Sequence, residues 1–125
     1  KTLENLQPKI KKLWDGLERF RDLRHVGDVR GRGMMVGIEL EQIPLSKRPF
    51  PPSKRIGHKV TLEARRNGVI IRPLGDVIVL NPPLSITEFE LEKLLDVTYN
   101  SIILVTEKAA AKEKARTLRA VRPFP

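Results

Sequence analysis

A chain of 125 residues is long enough for one domain with one modest core, and its 40% hydrophobic and 31% charged residues are ordinary for a soluble globular protein. With no cysteine there is neither a disulfide framework nor a thiolate metal site, and His25 and His58 lie far apart with no ligand spacing. No apolar run approaches a membrane span and no signal-peptide pattern opens the chain, so an intracellular compartment is expected; the formal charge of +9 has to be located before it means anything.

Residues 2 to 24 place Leu3, Leu6, Ile10, Leu13, Leu17 and Phe20 at spacings of three and four, one apolar stripe of a helix that begins or kinks near Pro8. Such a stripe is read as core packing rather than a coiled coil. The chain starts at Lys1, directly on this pattern, as expected of a piece of a longer protein or a processed chain.

Val26 to Gly33 reads as a strand entering a glycine-rich turn. Its Gly-x-Gly is a weak phosphate-loop signal, because no helix pattern follows. Instead Met34, Val36, Ile38 and Leu40 alternate with Met35, Gly37 and Glu39, a period of two, so the pair is a hairpin. Residues 43 to 53 hold four prolines and form a loop. Ser53 is expected to cap a helix from Lys54 to Arg66, whose inner stripe is Ile56, Val60 and Ala64 and whose stop is Asn67-Gly68.

Gly68 to Leu84 contains two apolar strands flanking a Pro-Leu-Gly turn, with Arg72 at the end of the first. An arginine in an apolar hairpin needs an anionic partner, and Asp76 at the turn is the one acid nearby. Its planar fork therefore either meets a structural carboxylate or water, or takes a carboxylate brought from elsewhere. Thr87 and Glu90 then form a capping box, with Ile86 placed to staple onto Leu91. Leu91, Leu94, Leu95, Thr98, Ile102 and Val105 continue the inner face of a final helix. Residues 1 to 109 are read as the domain, and residues 110 to 125 as a basic tail, a frayed helix extension running into disorder.

The charge excess is local. Residues 43 to 66 carry seven basic side chains against Glu63, and residues 112 to 125 carry five against Glu113, whereas residues 86 to 111 are net acidic. Placed so, the excess can attract phosphate or an acidic partner surface, although residue types favour a solvated basic face. No aromatic residues interleave with the basic ones as a single-strand platform needs. The element order is helix, strand, strand, helix, strand, strand, helix. Short links imply a mostly antiparallel sheet of about four strands with helices on one face, an α+β two-layer sandwich.

Three blocks carry a resemblance. Val29-Arg30-Gly31-Arg32-Gly33-Met34-Met35-Val36-Gly37-Ile38-Glu39-Leu40, Ala64 to Pro73, and Leu74 to Leu84 together resemble the C-terminal small domain of class III pyridoxal-phosphate aminotransferases over roughly residues 1 to 107. The last block is most similar to the biotin-biosynthetic members of that class. The resemblance implies the small domain of a fold type I enzyme, a cytoplasmic homodimer when full-length, and pyridoxal 5'-phosphate held by a large domain. It also implies that Arg72 grips the carboxylate of a keto acid, 8-amino-7-oxononanoate, with S-adenosylmethionine as amino donor. The family's Schiff-base lysine and phosphate-binding motifs have no counterpart here, so no catalytic or cofactor-binding residue is assigned. The isolated chain is expected neither to hold the cofactor nor to turn over. Two other readings stand beside this one: a class III aminotransferase for an ω-amino acid or diamine, and a small basic domain that binds RNA or an acidic protein.

Overall fold

A computed structural model describes residues 2–46 and 48–120 of the chain. Helix α1 spans Thr2–Leu17 and passes through Pro8 without ending there. Pro8 removes the amide that would bond the Glu4 carbonyl, and the packed stripe of Ile10, Leu13 and Leu17 carries the helix past it. A 3-10 turn, Glu18–Asp22, finishes the stripe and buries Phe20. The side chain of Leu3 lies outside the described residues.

Strands β1 (Val26–Arg32) and β2 (Met35–Leu40) form the expected hairpin. Strands β3 (Arg72–Leu74) and β4 (Val77–Leu80) form the second, and the sheet order is β1-β2-β4-β3 with every pairing antiparallel. The turn of this second hairpin is Gly75-Asp76, so Pro73 and Leu74 belong to the strand rather than to the turn.

The period-two pattern decides which face is buried. Val36, Ile38 and Leu40 on β2 and Ile78 and Leu80 on β4 are all buried, while Met35 and Leu74 are more than half exposed. Beneath the buried face lie Leu13, Leu17 and Phe20, then Ile56, Val60 and Ala64, then Leu91, Leu95 and Ile102, one contiguous core. Phe20 meets Tyr99 edge to face at 5.2 Å, and the Trp14 indole donates to the Gly33 carbonyl at 2.8 Å, tying α1 to the β1–β2 turn. The fold is thus the α+β sandwich, helices on one face of a four-stranded antiparallel sheet.

Helix α2 spans Ile56–Arg66, and here the expected start is corrected. Ser53 caps nothing: it sits in a 3-10 turn, Pro52–Lys54, and Arg55 then adopts a left-handed conformation (φ 48°) that turns the chain into the helix. The cap comes from another element, since the Gly57 amide donates to Asp76 Oδ1 at 3.3 Å. The helix end is as expected: Gly68 is left-handed (φ 82°), its amide donates to the Arg65 carbonyl, and the Val69 amide reaches back to Ala64.

Helix α3 spans Glu88–Ala120. It runs past the expected domain end at residue 109, because Ala109 to Ala111 and the Lys-Glu-Lys-Ala that follows are strong helix formers. Residues 121–125 of the expected tail lie outside the described residues.

Candidate functional site

Arg72 opens β3, the edge strand, and is exposed. Its strand position is fixed by pairing with Val79, which pairs in turn with Gly37, and Gly37 with Arg30. Directly opposed residues of antiparallel strands share a face, so Arg30 and Arg72 stand in one row on the open side of the sheet. Gly37 adds no side chain between them. Arg30 is already engaged, 2.5 Å from Glu39 and 3.3 Å from Asp28. Arg72 makes no ion pair or hydrogen bond among the described residues; Arg32, at the far end of β1, is likewise unpaired.

Arg72 differs from Arg32 in its seat. It lines a cleft of about 540 Å³ between the β3–β4 hairpin and the first turns of α3. Ile70 and Phe89, 81% and 77% exposed, stand at this cleft with Lys93 as a second cation. Exposed apolar side chains rimming a free guanidinium suit a molecule with an acid end and an aliphatic body. Glu90 is the carboxylate of the cleft, but it is occupied. It accepts from the Thr87 amide at 3.0 Å while the Thr87 hydroxyl accepts from the Glu90 amide at 3.1 Å, the capping box that starts α3. The Thr87 amide, and then the Thr87 hydroxyl, lower its pKa from the ordinary carboxylate value.

Asp76, the acid of the turn, does not reach back to Arg72. Burial raises its pKa, outweighing the amides of Gly57, at the N-terminus of α2, and of Phe50, in the loop before it, which favour the charged form. Asp76 thereby locks the Arg72 hairpin to α2. Sequence reasoning noted it as the one acid near the arginine without pairing the two, and missed the cap, because the capped helix lies 19 residues away.

The elements and the sheet order match the small domain of pyridoxal-phosphate aminotransferases. The chain belongs to the class III aminotransferases, whose family model matches residues 1–102. It is 56% identical over 110 residues to the adenosylmethionine-8-amino-7-oxononanoate aminotransferase of Nitratidesulfovibrio vulgaris, an alignment covering 88% of this chain and 20% of that protein. The crystal structure of the enzyme of that name from Methanocaldococcus jannaschii superposes with a TM-score of 0.79 at 48% identity, over 81% of this chain and 23% of that one. An omega-transferase from Vibrio fluvialis has the same fold at 26% identity and a TM-score of 0.83, over 88% of this chain and 26% of that one. The chain therefore spans about a fifth to a quarter of the proteins it matches.

Pyridoxal phosphate requires an amine nucleophile of lowered pKa and a phosphate cradle. Among the described residues no lysine is buried, and the lysines with shifted pKa, Lys11 and Lys12, are raised by hydrogen bonds to Asp15 and Glu92. The described residues do not compose a site for that cofactor. They also hold no cluster of His, Asp or Glu suited to a metal, and no helix is long and apolar enough to cross a membrane.

Proposed function

We propose that this chain is the substrate-acid-binding portion of a protein that transfers the amino group of S-adenosylmethionine to 8-amino-7-oxononanoate in biotin biosynthesis. Pyridoxal 5'-phosphate, held by the remainder of that protein, supplies the electron sink for the transfer. Arg72 clasps the carboxylate of 8-amino-7-oxononanoate, and Ile70 and Phe89 flank its aliphatic chain. Fixing the acid end of a long flexible molecule places its distant ketone, which is catalysis by positioning. The full-length protein works as a cytoplasmic homodimer.

One observation carries the reading: an exposed, unpaired guanidinium on an ordered strand at the mouth of a cleft. The relatives of 42–56% identity, all named as adenosylmethionine-8-amino-7-oxononanoate aminotransferases, support this substrate class. The γ-aminobutyrate transaminases match at only 30–31%, which disfavours an ω-amino acid as substrate. Family membership sets aside the reading as merely a basic binding domain.

The test is Arg72→Ala in the full-length protein. Two charge-assisted hydrogen bonds are worth about 3 kcal/mol, so KM for the keto acid should rise about 100-fold. The half-reaction with the amino donor should be unchanged. Because Arg72 is exposed and has no partner to lose, stability should move by less than about 0.5 kcal/mol. An unchanged KM, or an equal loss in both half-reactions, removes the assignment. The isolated chain mixed with pyridoxal phosphate should show the spectrum of the free cofactor, and a shifted visible band would contradict the absence of a cofactor site here.

A further inference from the structure

The helical layer carries a second cleft, far from Arg72. It lies between α2 and α3 with a volume of about 440 Å³. Lys54 and Lys59 stand on one wall, and Lys108 and Lys112 on the other. None of their four ammonium groups has an ion pair or hydrogen bond among the described residues. Several cations elsewhere are matched: Lys11 with Asp15, Lys12 with Glu92, Arg19 with Asp96, Arg30 with Glu39. Glu63, the one acid of the cleft, is engaged by Arg66 and Asn67. Four uncompensated ammonium groups around one groove repel each other and concentrate a positive potential there.

The floor is apolar. Leu62 and Leu104 are 38% and 53% exposed, with Val105 and Ala109 between the basic walls. The α3 wall, Leu104 to Lys112, lies beyond the residues matched by the family model. Lys108 is also about 27 Å along the helix from Glu90 of the Arg72 cleft, at 1.5 Å per residue. The groove is therefore separate from the substrate-acid site.

We propose that the α2–α3 groove docks an acidic amphipathic helix of a partner protein. Two helix walls with an oily floor accept a third helix by its apolar stripe, and the lysine rims pair with carboxylates flanking that stripe. A nucleic acid fits less well, since no aromatic side chain lines the groove for base stacking.

The probe is a synthetic 20-residue helix with leucines at i, i+3, i+4 and i+7 spacing and glutamates beside them. A scrambled peptide of the same composition and an RNA oligonucleotide serve as comparisons. Fluorescence anisotropy with the 125-residue chain at low salt should show micromolar binding of the helix and at least tenfold weaker binding of the scramble. The double variant Lys59→Glu/Lys108→Glu, both exposed positions, should fold normally by circular dichroism and lose binding at least tenfold. Equal binding of the scramble, tighter binding of the RNA, or no effect of the charge reversal overturns the proposal. So does binding to the chain but not to the full-length protein, which would mean that the rest of that protein already covers the groove. None of these outcomes depends on transaminase activity.

Discussion

Replacing Gly57 with alanine sets two effects against each other. Gly57 lies in α2, where alanine is favoured over glycine by about 1 kcal/mol. Its backbone is helical, so no conformational strain opposes the change. Yet a Cβ built there falls 2.1 Å from the Gly75 carbonyl oxygen, with the Gly75 carbon and Asp76 Cα at 3.2 and 3.4 Å. Backbone cannot rotate away as a side-chain end can. The β3–β4 turn must retreat by about 1 Å to restore ordinary contact. Such overpacking costs about 1–3 kcal/mol, and the retreat weakens the 3.3 Å bond from the Gly57 amide to Asp76, a further cost of about 1 kcal/mol. Against the gain of about 1 kcal/mol the net is a destabilisation of about 2 kcal/mol, read as a lower urea midpoint and a Tm lower by roughly 8 °C. Gly16→Ala is the internal comparison. There the Cβ meets Leu95 Cδ1 at 2.5 Å, the tip of a side chain that can turn aside, so the change should stay within about 1 kcal/mol of zero. A Gly57→Ala chain as stable as the wild type would refute the close approach of α2 to the turn.

Asp76→Asn keeps an acceptor for Gly57 and removes the charge. The folded-state pKa of Asp76 is raised by burial, so the folded chain holds the proton more tightly than the unfolded one. Stability must then fall as pH rises from the ordinary carboxylate value of 3.8 through the raised one. Urea midpoints across that window should fall for the wild type relative to the variant, and the reverse slope would contradict burial of the carboxyl. Glu90 behaves oppositely. Its lowered pKa means that the stability it contributes is present above the ordinary value of 4.5 and lost as pH falls through the lower folded value. Glu90→Gln should abolish that acid dependence, whereas Thr87→Ala, which keeps the backbone amide that Glu90 accepts from, should only weaken it while costing about 1 kcal/mol for the lost hydroxyl cap, both measured by urea denaturation. Arg19→Ala removes a guanidinium lying 4.5 Å from the Tyr99 ring centroid and 2.6 Å from Asp96, and should cost about 1 kcal/mol, with a changed near-ultraviolet tyrosine signal.

What could be read ahead was what neighbouring residues decide. Thr87 and Glu90 are three apart and meet within one helical turn. The alternation from Met34 to Leu40 assigns β2 and its buried face at once, and Asn67-Gly68 ends α2 as glycine chemistry requires. What escaped were decisions made across the fold. Ser53 has a good cap residue type, but left-handed Arg55 intervenes and Asp76 takes the role from another hairpin. Proline and leucine at 73 and 74 look like turn residues, yet β4 recruits them into an edge strand. Arg72 could be singled out by residue type. Its freedom from a partner could not, because that depends on where Asp76 and Glu90 are already committed.

The tripeptide of β3 has a further consequence. Arg72, Pro73 and Leu74 form the outer margin of the sheet, and proline has no amide hydrogen to offer a newcomer. The opposite margin, β1, is broken by an irregularity between Val26 and Asp28. Both borders are thereby poorer templates for an added strand, which disfavours growth into fibrils while Arg72 stays exposed on the outer strand.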